Sequence, residues 1–211
     1  MKLGEIKMQA LRLMFVQATA DHESDDLSVL KSDEECKDYL ANMPGAINRC
    51  LANLESRNVL PIKRAILSRF SGEVYGGCVR YELSAILPDL FKVERVVWER
   101  EKGGYNSSVG YTGEGDTLLL AEIADGERYI ILYRPRVKRV TPLSDDATEL
   151  DIPEHIAALI PYFIKGELYR IDEPDEAQEA RNLYEAGLAE IVQESCGVQS
   201  KVKTVYSMAG D

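Results

Sequence analysis

Apolar residues recur at helical spacing towards both ends of this chain, but between them they come in short β-branched and aromatic runs. That order of helix, strand and helix restricts the fold more than any single motif, because segregated elements pack as α+β and not as alternating βαβ units. Leu3, Ile6, Ala10, Leu11, Met14 and Phe15 give a first helix over about 3–17. The polar, acidic stretch Ala18 to Lys31 reads as a connecting loop. Ser32-Asp33-Glu34-Glu35 is a capping box, in which serine and Glu35 satisfy each other's backbone N–H groups. Behind it Cys36, Leu40, Met43, Ile47, Cys50, Leu51 and Leu54 form one stripe from 33 to about 57. Pro44-Gly45 interrupts this stripe, and proline removes one helical hydrogen bond. The stripe keeps its phase across the break, which predicts one kinked helix.

Pro61 closes the helical part. Val79–Ile86, Phe91–Trp98, Thr117–Ile123 and Tyr129–Arg134 read as strands, with Val137–Val140 as a short further one. Asp125-Gly126 between two apolar runs signals a hairpin, since both residues tolerate left-handed conformations. Gly103 to Gly115 reads as a long loop or irregular hairpin. Helical period returns with Ile156, Leu159, Ile160, Phe163, Ile164 and Leu168 behind Asp151 and Pro153, and Pro161 predicts a kink. Asp172-Glu173-Pro174 starts a last helix through Ala177, Ala180, Leu183, Tyr184, Leu188, Ile191 and Val192, ending near 194. The expected architecture is α+β: an N-terminal helix pair packed with a C-terminal αα-hairpin (1–60 and 144–196), an inserted antiparallel β domain (61–143) and a flexible C-terminal tail (197–211).

The formal net charge is −11, and 144–211 hold 15 acidic against 5 basic residues. Such a field disfavours nucleic acid and anionic lipid, whose binding needs cations that release counterions. No apolar run has the length of a membrane span. Glu5, Lys7, Gln9 and Arg12 break up Met1 to Val16, so it reads as an amphipathic helix of a cytoplasmic protein and not as a signal peptide. Cys36, Cys50, Cys78 and Cys196 lie far apart without a histidine at ligand spacing, which points to buried free thiols and no metal site. His22 and His155 have no partners at readable spacing, so no catalytic residue is assigned. Gly113-Glu114-Gly115-Asp116 lacks the lysine and following helix of a phosphate loop. The acidic runs Asp145, Asp146, Glu149, Asp151, Glu154 and Asp172, Glu173, Asp175, Glu176 lack calcium-loop spacing and sit at helix starts, where negative charge is favourable. Arg134, Arg136, Lys138 and Arg139 beside Tyr129 and Tyr133 read as a solvated sheet face or, alternatively, as a contact for nucleic acid or a negative protein surface.

Residues 125–135 read Asp125-Gly126-Glu127-Arg128-Tyr129-Ile130-Ile131-Leu132-Tyr133-Arg134-Pro135, a hairpin arm ending in proline. After an acidic linker comes Glu149-Leu150-Asp151-Ile152-Pro153-Glu154-His155-Ile156-Ala157-Ala158-Leu159-Ile160-Pro161-Tyr162, completed by the acidic turn and the helix from Glu176 to Ile191. With Asn42-Met43-Pro44 and Ala46-Ile47-Asn48-Arg49 near the N-terminus, the pattern resembles the head–tail connector (adaptor or neck) proteins of tailed bacteriophages and prophages. In that family an acidic–Leu–Asp–Leu/Ile–Pro–Glu start precedes an αα-hairpin rich in alanine and aromatics. The likeness covers roughly 1–57 and 125–194; the block 62–124 matches less and leaves the adaptor subtype open.

The resemblance implies a non-enzymatic part, able to be monomeric until it meets the portal, that assembles as a ring beneath the portal protein, extends the DNA channel and docks tail proteins. It implies no cofactor, no membrane contact, and DNA that passes without specific binding. Its place would be the cytoplasm of the infected or lysogenic bacterium and then the virion neck. The tail would be a docking arm, with Lys201, Val202, Lys203, Val205 and Tyr206 adding a strand to a partner or filling a crevice. The alternatives are another phage structural part, such as a tail-completion or baseplate protein, and an enzyme using carboxylates where the β and helical domains join.

Overall fold

The structure is a computed structural model. It describes residues 1–15, 27, 34–68, 71–99, 105–106, 112–114, 116–121 and 127–207, with backbone alone at 35, 75, 105–106, 112–114 and 194–207. Helices and antiparallel sheets make it an α+β protein. It divides into two compact units, Met1–Val59 with Lys138–Asp211, and Leu60–Val137.

In the first unit α1 (Leu3–Met14) buries Leu3, Ile6, Met8, Ala10, Leu11 and Met14, the stripe its period demands. Both of its ends are satisfied by distant segments. Leu3 and Gly4 donate their N–H groups to the carbonyls of Thr148 (2.9 Å) and Asp146 (2.8 Å). Lys165 Nζ donates to the Leu13 carbonyl at 2.8 Å, and the Tyr169 hydroxyl to that of Met14 at 2.6 Å. These contacts take up orphan groups that every helix end leaves.

The second helix, α2 (Glu34–Ser56), runs through Pro44 as one element. It ends in an αL turn: Asn58 has φ 56°, its N–H bonds to the Glu55 carbonyl (3.0 Å), and that of Val59 reaches back to Leu54 (3.2 Å). Asn48 exchanges two hydrogen bonds with the Val140 backbone, at 2.7 and 2.8 Å. Residues 137–140 are therefore no strand: an amide side chain occupies the backbone groups of Val140 that a neighbouring strand would use.

The kink expected at Pro161 is a break. A short α3 (Glu154–Ala157) ends at Ala158, and α4 (Ile160–Leu168) restarts with Pro161 in its first turn, where a missing N–H costs nothing. The last helix, α5 (Pro174–Ser207), has 34 residues. It packs on α4 through Ala177, Ala180, Tyr184 and Leu188. The predicted end near 194 and the strand-like Lys201 to Tyr206 are both corrected, because the backbone stays helical to Ser207. No proline follows Pro174, and a formed helix gains one hydrogen bond per residue added.

Among the described residues the second unit has two four-stranded antiparallel sheets. Its strands are β1 (Lys63–Ser68), β2 (Glu73–Tyr75), β3 (Cys78–Glu82), β4 (Leu90–Glu99), β5 (Tyr105–Asn106), β6 (Thr112–Glu114), β7 (Thr117–Ala121) and β8 (Arg128–Pro135), with a helical turn α6 (Leu83–Ile86) after β3. The orders are β1-β8-β4-β5 and β2-β3-β7-β6. Leu67, Val96, Tyr129 and Ile131 of one sheet and Val79, Tyr81, Leu118 and Leu120 of the other share one core. Gly76 (φ 57°) and Gly77 (φ 80°) make the two-residue turn between β2 and β3, which needs positive φ at both positions.

One expected pairing is corrected. The runs flanking Asp125-Gly126 do not form a hairpin, since β7 pairs with β3 and β6 while β8 pairs with β1 and β4. Residues 122–126 themselves lie outside the described residues, as do the 18–26 part of the predicted loop and Ser32-Asp33 of the capping box. Among the described residues no helix is long and apolar enough to cross a membrane.

Candidate functional site

Lys201, Val202, Lys203, Val205 and Tyr206, expected from the sequence to form a docking arm, lie on the last turns of α5, and their side chains are outside the described residues. A helical backbone has its own N–H and C=O groups bonded internally, so in this conformation these turns present no strand edge to a partner. His22 lies outside the described residues, and His155 is exposed in the short α3. Cys36 and Cys50 are buried free thiols and Cys78 is half-buried; the Cys196 side chain is not among those described. Among the described residues no group of three or more His, Cys, Asp and Glu side chains could hold a metal ion.

The motifs singled out in the sequence have structural partners. Asp146 caps α1 through its carbonyl and forms an ion pair with Lys7 at 2.7 Å, so this acidic run serves a helix far away in sequence. In the second run Glu176 pairs with Lys165 at 2.7 Å. Asp116 of the glycine-rich run accepts from the N–H groups of Leu83 (2.8 Å) and Ser84 (2.9 Å), capping α6 where a phosphate loop would hold its anion.

The basic segment disperses. Arg134 bonds Glu94 (2.9 Å) and the Leu60 carbonyl (2.6 Å), and Arg139 bonds the buried Glu55 (2.6 Å). Tyr129 and Tyr133 belong to the core, so the aromatics do not lie beside the cations on an exposed face. Arg136 and Lys138 are exposed.

A different cationic surface emerges from strand register. On the outer face of the first sheet, Arg64 of β1 and Arg95 of β4 flank Leu132 of β8 in one row. The next row is Ile66, Ile130 and Val97, with Ile66 half exposed (50%) and Ile130 covered. Arg64 and Arg95 are exposed, and neither has an ion-pair or hydrogen-bond partner among the described residues. The rows beyond hold Arg134 and Lys92 with Glu94, and Arg128 with Glu99. Among the described residues, five cations therefore face two carboxylates here, on a chain of net charge −11. Sequence reading missed this surface because its residues come from three strands.

Asp89 and Glu94 have their carboxyls below the usual range. Burial pushes each up, but hydrogen bonds from Lys63 and Tyr133 to Asp89, and the hydrogen bond from Arg134 and the charge of Lys92 at Glu94, outweigh it. A depressed folded pKa adds stability that is complete above the ordinary carboxylate range and lost as pH falls through the lowered folded values. The β unit is therefore expected to lose stability progressively as pH drops below about 5. Trp98, the sole tryptophan, lies in β4 and reports this unit, so urea midpoints from its fluorescence across that range check it. An Asp89→Asn variant whose midpoint falls as steeply as the parent's would refute the assignment.

No protein-family model matches the chain, and no curated protein is detectably similar to it.

Proposed function

We propose that the chain is a structural head–tail connector (adaptor) of a tailed phage or prophage, which docks to a portal protein as a ring and extends the DNA channel. The observation that carries the reading is the run Glu149-Leu150-Asp151-Ile152-Pro153-Glu154, which heads the packed helices α3, α4 and α5 as the family's start heads its αα-hairpin. The excess of acid in 144–211 supports it, since a channel wall must let phosphate pass without adhesion. The C-terminal turns of α5 serve as the docking arm. Because they are helical, they fill a crevice in the partner in helix-in-groove fashion. The working places are the bacterial cytoplasm during assembly and then the virion neck.

The test is electron microscopy of the full chain mixed with the portal ring encoded in the same genome. A collar of symmetric density on the portal, lost when residues 197–211 are deleted, is the expected result. Absence of the collar with the full chain sinks the portal reading. A collar that survives the deletion sinks the docking arm alone.

A further inference from the structure

We propose that the outer face of the β1-β8-β4 sheet docks the acidic outer strip of α5 from a second copy of the chain. The face holds two guanidinium groups, Arg64 and Arg95, about 10 Å apart across β8 by strand spacing. Like charges so placed repel each other, and nothing among the described residues neutralises them. Beside them Ile66 is half exposed and Val97 partly so, while Ile130 between them is covered. Free arginines next to apolar surface suit a protein carboxylate, which accepts bidentate hydrogen bonds and brings apolar neighbours with it. Duplex DNA would use the cations alone, against the field of a chain carrying −11.

The chain itself carries the complementary surface. Glu179, Leu183, Ala186 and Glu190 follow one another at spacings of three and four, so they share one face of α5. That face lies away from the buried Ala177, Ala180, Tyr184 and Leu188. Leu183 is 51% exposed, and Glu179 and Glu190 on either side of it have no partner among the described residues. An apolar centre between two free carboxylates is the counterpart of the exposed Ile66 beside two free arginines. The two surfaces differ, so the contact is heterologous and propagates from copy to copy, the kind that closes into rings. It rests on the ring-forming part of the reading above and is independent of the portal.

Sedimentation velocity of the full chain alone tests it, over rising concentration in low salt and then in high salt. The parent is expected to self-associate in low salt and to dissociate in high salt, because exposed charges are screened. The pair Arg64→Glu with Arg95→Glu, and the pair Glu179→Arg with Glu190→Arg, should each weaken self-association by about a hundredfold, since like charges then face each other. Mixed together, the two variants should associate again, because each supplies what the other has lost. That rescue also shows that both are folded. A parent that stays monomeric at every concentration overturns the inference, as does a mixture that fails to associate. Binding of duplex DNA that is lost with the arginine reversals, without self-association, would reassign the face to nucleic acid.

Discussion

A single methyl group placed on Gly72 is expected to open the β unit, so that Gly72→Ala unfolds at a much lower urea concentration than the parent chain. A β-carbon there would sit 2.5 Å from the carbonyl oxygen of Arg80, 2.7 Å from Cγ1 of Val79 and 2.9 Å from Cδ1 of Tyr81. The nearest obstacle is backbone, which no rotamer change can clear. Val79 and Tyr81 are fully buried, and the Tyr81 hydroxyl is tied to the Ser68 carbonyl at 3.1 Å, so neither side chain has room to withdraw. Overpacking of a close-packed core costs about 1–3 kcal/mol, and an approach to backbone belongs at or above the top of that range. Gly76→Ala is the control. Nothing lies within 4 Å of the β-carbon it would gain, and its φ of 57° costs only about 1–2 kcal/mol for an L-residue. Trp98 fluorescence in urea reads both variants. An unchanged midpoint for Gly72→Ala, or a smaller loss there than at Gly76, would show that the close approach of Gly72 to β3 is not what requires glycine.

Those two glycines also mark what the sequence could and could not reveal. Tyr75-Gly76-Gly77-Cys78 carries a turn signal that the reading of the sequence passed over, since two adjacent glycines satisfy a turn that needs positive φ twice. The Asp125-Gly126 signal was stronger in the pattern, yet its flanking strands went to different sheets. Local turn chemistry says that the chain can reverse but not which strands pair, and β8 lies between β1 and β4 in its own sheet. For the same reason β1 went unseen: Lys63 to Ser68 has weak alternation, and its place is set by register with β8, sixty to seventy positions away. The helices were legible because period 3.6 is written locally, as in the stripe of α2 through Pro44. The far end of α5 was not, since Glu194 to Ser207 is largely polar in sequence and leaves no apolar stripe to read. The candidate surface fared likewise. Arg64 and Arg95 are thirty-one positions apart, and only the pairing of both strands with β8 brings them into one row.

The largest expected effect in the helical unit falls on Tyr184, where three substitutions separate packing from polarity. Its ring is 2% exposed and meets that of Phe163 edge-on at 5.1 Å between centroids. Its hydroxyl donates to Oδ1 of Asn53 at 2.9 Å and lies 3.9 Å from the Cys50 sulfur. Tyr184→Ala removes the ring from between α5, α4 and α2 and should cost about 3–5 kcal/mol, the range for large aromatics cut back in a core. Tyr184→Phe keeps the ring and removes only the hydroxyl, so its cost should stay near about 1–2 kcal/mol. The third variant, Cys50→Val, tests the polar pair through pH. Burial pushes the Cys50 thiol up to about 12 and raises the Tyr184 phenol further still. A group whose folded pKa is raised holds its proton in the folded state after the unfolded chain has released it. Its stabilisation is complete below the unfolded pKa, about 8.5 for the thiol and 10 for the phenol, and drains away as pH rises beyond it. The helical unit should therefore weaken from about pH 9 upward, as read by far-ultraviolet circular dichroism in urea. Cys50→Val should delay that loss until the phenol of the unfolded chain titrates, and Tyr184→Phe should leave the thiol part in place. Equal costs for Tyr184→Ala and Tyr184→Phe would mean that the hydroxyl and not the ring secures this junction. An alkaline profile unchanged by Cys50→Val would mean that the thiol is not shielded from water as its burial requires.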